Sequence, residues 1–239
     1  MQEKFLNTSD NIKIAVNCYY SGHKEVVIIA HGWFMTKDSG AFRDLSENFA
    51  QYFDVITLDF RGHGNSSGTY TFSAKETKDL DTVVHYAKQH YEKIYLIGFS
   101  LGAATALIYS ANNNDVNSMI VVSPPSNFEK IENHMWKKAA WLPTLKKFEL
   151  KRCFSVRPNL KIYKKVAPID IVNDITIPTM FVAGEHDPTV YVWHTKKLYE
   201  KADCLKKLQI FEDGTHAEDL YLEHKAYFVD MCVDWIKQN

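Results

Sequence analysis

Apolar and polar residues alternate near the start of the chain. Ile12, Ile14, Val16 and Cys18 interleave with Lys13, Ala15, Asn17 and Tyr19, the two-residue period of a half-buried strand. The preceding Thr8-Ser9-Asp10-Asn11 is a run of turn formers, so an antiparallel hairpin is expected to open the chain. Further on the pattern changes to continuous apolar runs: Val26 to Ala30, Val55 to Leu58, Ile94 to Ile97, Met119 to Val122, Met180 to Val182 and Leu208 to Phe211. Strands buried on both faces have this signature.

Helical periods separate the runs. Phe42, Leu45 and Phe49 share one face, as do Leu80, Val83, Val84 and Ala87, and later Phe228, Met231, Cys232 and Trp235. Ser73 and Glu76 have the spacing of a capping box, which predicts the start of the second helix. Strands alternating with helices imply an α/β protein with a parallel sheet covered on both faces and right-handed crossovers. In such sheets, chemistry belongs in the loops beyond the carboxyl ends of the strands.

One interval is too long for a crossover. Between Val122 and Thr179 the chain holds Trp136, Trp141, Phe148, Phe154 and many lysines, and only Ala167 to Val172 resembles an ordinary crossover helix. Residues 126–165 are therefore expected to form an inserted lid within a single domain spanning 1–239. Its basic residues, among them Lys137, Lys138, Lys146, Lys147, Lys151, Arg152, Lys161, Lys164 and Lys165, fit a solvated helix face better than a patch for anionic substrates or a membrane surface.

Charge narrows the field. Lys and Arg number 28 against 29 Asp and Glu, with no long block of one sign, so no nucleic-acid partner is expected. Met1 to Asn7 carry no basic stretch followed by an apolar segment, and no uncharged run approaches a transmembrane span, which predicts a cytoplasmic protein. Cys18, Cys153, Cys204 and Cys232 lack C-x-x-C spacing and read as free thiols. No cluster has metal-ligand spacing, so the expected chemistry uses no metal and no cofactor.

That chemistry has a focus at Gly98-Phe99-Ser100-Leu101-Gly102, between an apolar strand and the small-residue run Ala103 to Leu107. A serine on a sharp strand-to-helix turn needs small neighbours two residues either side, because other chain segments pass close by. Such a serine is a candidate nucleophile, and it requires a base oriented by a carboxylate. Of the ten histidines, His216 follows the last predicted strand and precedes the last helix, while His85, His90 and His224 lie in helical patterns. Asp187, in the loop after the preceding strand, gives the chain order Ser, Asp, His. Asp213, three residues before His216, and Glu185 are weaker candidates. Donors for an oxyanion are expected at the N–H of Leu101 and in His31-Gly32-Trp33-Phe34, with Trp33 preferred over Phe34 and His31 as a brace. Asp59 to Ser66 lacks phosphate-loop spacing, and its Arg61 and His63 read as anchors for adjoining loops.

Taken together, His31-Gly32, Asp59-x-Arg61-Gly62-His63-Gly64-x-Ser66, Gly98-x-Ser100-x-Gly102, Gly184-x-x-Asp187 and Gly214-x-His216 resemble the α/β-hydrolase superfamily, collinearly from about residue 25 onward. Within it, the chain resembles compact serine esterases grouped with monoacylglycerol lipases and serine aminopeptidases. The resemblance implies an eight-stranded, mostly parallel sheet, a lid after the sixth strand, and hydrolysis through an acyl-enzyme at Ser100, His216 and Asp187, with Trp33 and Leu101 as oxyanion donors. Some relatives carry the acid after the sixth strand, where this chain has Ser123-Pro124-Pro125.

The expected activity is hydrolysis of small to medium acyl esters, lipase-like or carboxylesterase-like, with a small-molecule ester as the partner. Phe34, Trp136 and Trp141 would line an apolar acyl pocket. The same triad also suits a thioesterase or a serine aminopeptidase, for which Glu132 and Glu149 could bind the substrate amine, or a ligand sensor that turns over slowly.

Overall fold

The computed structural model describes residues 1–128, 155–159, 161 and 163–239. Trp136, Trp141, Glu132, Glu149, Phe148, Phe154, Cys153 and the basic residues between 137 and 152 lie outside the described residues.

The expected hairpin is present as β1 (Gln2–Asn7) and β2 (Lys13–Tyr19), paired antiparallel. Its turn is held by Thr8, whose N–H donates to Ile12 C=O and whose hydroxyl accepts the Ile12 N–H, both at 2.9 Å. The remaining strands are β3 (Glu25–Ala30), β4 (Asp54–Leu58), β5 (Lys93–Phe99), β6 (Ser118–Val122), β7 (Thr179–Gly184) and β8 (Lys206–Phe211). They form one eight-stranded sheet in the order β1-β2-β4-β3-β5-β6-β7-β8, parallel from β4 through to β8.

Each central strand feeds two cores, which accounts for the continuous apolar runs. Val26, Ile28 and Ala30 of β3, with Ile94 and Leu96 of β5, face one cluster; Val27 and Ile29, with Tyr95, Ile97 and Phe99, face the other. The first cluster is covered by α2 (Thr77–Lys88), α3 (Leu101–Ser110), a short α4 (Pro168–Ile171) continued as a 3₁₀ turn (Val172–Asp174), and α5 (Val192–Lys201). The second is covered by α1 (Gly40–Phe49), α6 (Glu218–Glu223) and α7 (Lys225–Gln238). No described helix is long and apolar enough to cross a membrane.

Two local expectations are corrected. The predicted capping box does not form: α2 begins at Thr77 without a side-chain cap. The Glu76 carboxylate instead accepts the Thr71 N–H and hydroxyl, and the Ser73 hydroxyl pairs with Thr105 on α3, so both side chains serve tertiary contacts. Likewise β2 is not half exposed. Ala15, Asn17 and Tyr19 are as buried as the opposite face: Tyr19 belongs to the second core, and Asn17 donates to Asp38 at 2.7 Å. The exposed edge is β1.

Candidate active site

At the end of β5, Ser100 takes φ +51° and ψ −117°, a backbone conformation uncommon for a residue with a side chain. Crowding explains both flanking glycines. A Cβ at Gly98 would lie 2.7 Å from Ala103 Cα, and one at Gly102 would lie 2.4 Å from the Ala30 carbonyl oxygen and 2.5 Å from that of His31. Only bare backbone lets α3 start so near the end of β3. The turn is secured where the Ser100 N–H donates to Val122 C=O at 2.8 Å.

Two loops converge on this turn from the other half of the sheet. The loop after β7 carries Asp187, and the loop after β8 carries His216. They pack backbone to backbone: a Cβ at Gly184 would sit 2.3 Å from the carbonyl oxygens of Gly214 and Thr215, and the His186 N–H donates to Gly214 C=O at 3.1 Å. His216 Nδ1 meets Asp187 Oδ2 at 2.6 Å, and His216 Nε2 meets Ser100 Oγ at 3.1 Å. The other Asp187 oxygen accepts the N–H groups of Thr189 and Val190, both at 2.8 Å. With the carboxylate so fixed, Nδ1 donates to Asp187, which leaves Nε2 as the acceptor facing the serine hydroxyl. Asp187 is 3% exposed and Ser100 8%, so the two ends of the line are shielded from water, while the His216 side chain between them keeps 16% exposure.

The competing carboxylates are elsewhere. Asp213 is 82% exposed and lies 3.3 Å from His224 Nε2, and Glu185 pairs with Lys196 at 3.2 Å. Among the described residues, no group of three or more His, Cys, Asp and Glu could hold a metal ion.

The loop after β3 passes beside the serine. A Cβ at Gly32 would lie 3.2 Å from Ser100 Cβ, and the next residues are Trp33 and then Phe34, at φ +62°. Opposite it stands the first turn of α3, where the Leu101 N–H has no carbonyl one turn back within the helix to bond. His31 braces this loop. Its Nδ1–H donates to Gly32 C=O at 2.7 Å and its Nε2 accepts the Phe60 N–H at 3.2 Å. Complete burial pushes its pKa down to about 4, so the ring is neutral at physiological pH. Arg61, also buried, bridges Asp79 of α2 at 2.7 Å and Asp10 of the hairpin turn at 2.9 Å, fixing the loop after β4. His63 packs edge-on against His31 and Tyr70.

An apolar wall that the sequence did not disclose adjoins the serine. Leu101, Ala104 and Ile108 of α3 cluster with Tyr70 and Phe128, and Trp33, Phe72 and Ile171 pack against them. Phe34 stacks on Trp33 with ring centroids 4.3 Å apart, and Phe72 meets Trp33 edge-on at 5.1 Å. Phe72 and Ser73, at φ +55° and +67°, are turned inward where the Ser73 hydroxyl reaches Thr105 at 2.8 Å. No hydrophobic period marks Phe72, which is why the pattern missed it.

A doubly covered parallel sheet with a serine on the turn after its fifth strand, an aspartate after the seventh and a histidine after the eighth defines a class. The chain belongs to the alpha/beta hydrolase fold family, whose model matches residues 25–170. Among curated proteins it is similar to the uncharacterized protein YqkD of Bacillus subtilis (strain 168), 29% identical over 80% of this chain and 64% of YqkD. It is also similar to the uncharacterized protein YfhR of Escherichia coli (strain K12), 25% identical over 77% of this chain and 60% of YfhR. The chain thus spans less than two thirds of the length of these relatives. Among solved structures, the Pyrococcus furiosus esterase Pf2001 superposes with a TM-score of 0.82 at 24% identity, covering 99% of this chain and 92% of that one. The esterase EaEST from Exiguobacterium antarcticum gives 0.76 at 18% identity, covering 99% and 100%. At these identities the likeness establishes the shared fold.

Proposed function

We propose that the protein is a serine hydrolase that cleaves carboxylic esters of small to medium acyl chains through an acyl-enzyme. The observation that carries the proposal is the hydrogen-bonded line Asp187–His216–Ser100, with distances of 2.6 and 3.1 Å, at a buried positive-φ turn. Two structural neighbours that are esterases agree with it.

In this reading Ser100 Oγ attacks the ester carbonyl while His216 Nε2 takes its proton, and Asp187 stabilises the resulting imidazolium. The developing oxyanion is held by the Leu101 N–H and by one from the loop after β3, at Trp33 or Phe34. The loss of either donor costs roughly two to three orders of magnitude in kcat. Collapse of the tetrahedral intermediate expels the alcohol, protonated by His216, and water then attacks the acyl-enzyme with His216 again as base. The cluster of Leu101, Ile108, Phe128, Trp33 and Phe72 supplies an apolar wall for the acyl chain.

Residues 126–165 would act as the lid of this pocket. Both ends of the segment are tied to the fold. The Ser126 carbonyl accepts the Ile169 N–H at 3.1 Å, and the Tyr70 N–H donates to Arg157 C=O at 2.8 Å. Hydrolysis of a p-nitrophenyl ester series from acetate to palmitate tests the proposal. Activity in the wild type that disappears in Ser100→Ala, with an optimum at short or medium chains, is the expected result. Equal activity in Ser100→Ala would overturn it.

A further inference from the structure

We infer that Ser123 is a positioning residue that holds the loop bearing His216, an inference that rests on the hydrolase reading above. Ser123 follows the last residue of β6 and is fully buried. It stands at φ +50° directly before Pro124, although a following proline already restricts a residue's backbone. Such a conformation persists only where the surroundings enforce it. What it achieves is the placement of Ser123 Oγ, which accepts the Ala217 N–H at 3.1 Å. Ala217 is itself fully buried at φ +47° and is the residue immediately after His216.

The same short stretch bonds to the elements that carry the triad. The Val122 carbonyl accepts the Ser100 N–H at 2.8 Å, and the Ser123 N–H donates to Val182 of β7, the strand whose following loop carries Asp187. The carboxyl end of β6 therefore fixes the nucleophile turn by a backbone bond and the base loop by a side-chain bond. Nothing else among the described residues accepts the Ala217 N–H. Removing the hydroxyl leaves a buried donor without a partner, and the loop must move to satisfy it. His216 moves with it, away from Ser100 at one nitrogen and from Asp187 at the other.

Ser123→Gly is the decisive variant, since glycine takes φ +50° without strain and so removes the hydroxyl while relaxing the backbone. Ser123→Ala and Ser123→Cys accompany it, with active-site concentration fixed by fluorophosphonate titration. On p-nitrophenyl acetate, Ser123→Gly and Ser123→Ala are expected to lose roughly ten- to a hundredfold in kcat, with KM within about twofold. The acidic limb of kcat/KM moves to lower pH, because an imidazole drawn away from Asp187 is protonated less readily. Ser123→Cys, with a weaker acceptor, recovers part of the loss. A Ser123→Gly enzyme with unchanged kcat and an unchanged acidic limb overturns the inference, even where its melting temperature differs from the wild type. Ser100→Ala run in parallel separates the two claims. If Ser100→Ala still hydrolyses the ester, the hydrolase reading fails and this inference with it; if Ser100→Ala is inactive and Ser123→Gly is normal, only this inference fails.

Discussion

Replacing Asp187 by asparagine exchanges one oxygen for an amide group and is expected to lower kcat about ten-thousandfold, equivalent to about 5 kcal/mol of transition-state stabilisation. The reason lies in how the carboxylate is held. One of its oxygens accepts two backbone N–H groups, from Thr189 and Val190, and the other faces His216 Nδ1 at 2.6 Å. Asparagine has a single oxygen. The two N–H groups claim it, since turning the amide round would set its NH₂ against both donors and leave them unpaired at about 1–3 kcal/mol each. The NH₂ then faces Nδ1, which must accept rather than donate, so the imidazole carries its proton on Nε2, 3.1 Å from Ser100 Oγ. A protonated Nε2 cannot take the serine proton, and the imidazolium has also lost its counter-charge. Because Asp187 is buried behind His216, KM is expected to stay within about threefold. The assay is steady-state hydrolysis of p-nitrophenyl acetate by wild type, Asp187→Asn and Asp187→Ala, with circular dichroism to confirm folding. Alanine leaves the tautomer free, so asparagine loses at least as much as alanine. An Asp187→Asn enzyme within tenfold of wild type, or clearly more active than Asp187→Ala, refutes the reasoning and directs attention to another carboxylate.

Two further outcomes follow from packing and burial. Gly102→Ala places a Cβ 2.4 Å from the Ala30 carbonyl oxygen, so urea denaturation should show a loss of about 1–3 kcal/mol. The accompanying shift of the Leu101 N–H lowers kcat by roughly two to three orders of magnitude, and a variant normal in both respects contradicts the close approach described. His31 binds its proton less readily when folded, about 4 against an ordinary 6.5, so its contribution is fully present above pH 6.5 and is lost as the pH falls toward 4. The amount is about 3 kcal/mol. The stability difference between wild type and His31→Asn, measured by urea titration at pH 7 and pH 4, should narrow by about that amount, and a constant difference refutes the assigned protonation.

How much of this was legible in the chain depended on which physical signal each element carried. The inner strands were visible because Val26 to Ala30 and Ile94 to Ile97 must supply apolar side chains to two cores at once. In contrast, α5 gave no sign, since its buried face holds His194 and Thr195 beside Leu198, polar groups that a hydrophobic pattern cannot count. Ser73 and Glu76 had cap spacing but were claimed by Thr105 and Thr71, contacts set by tertiary structure. The half-buried reading of β2 failed for a related reason: alternation in sequence does not reveal that a second layer covers the polar-looking face. Motif spacing and loop order selected Ser100, Asp187 and His216 because each stands at the carboxyl edge of a strand. Ser123 carries no motif and acts through a backbone N–H 94 residues away, which only coordinates disclose.

If Ser100 is the nucleophile, it becomes acylated during turnover. Acid quenching of the enzyme during p-nitrophenyl acetate hydrolysis, followed by peptide mapping, tests it most directly. An acetyl group is expected on the peptide carrying Ser100 and absent from Ser100→Ala, which releases no p-nitrophenol above background. Acetyl on another residue, or p-nitrophenol released at the wild-type rate by Ser100→Ala, would contradict it.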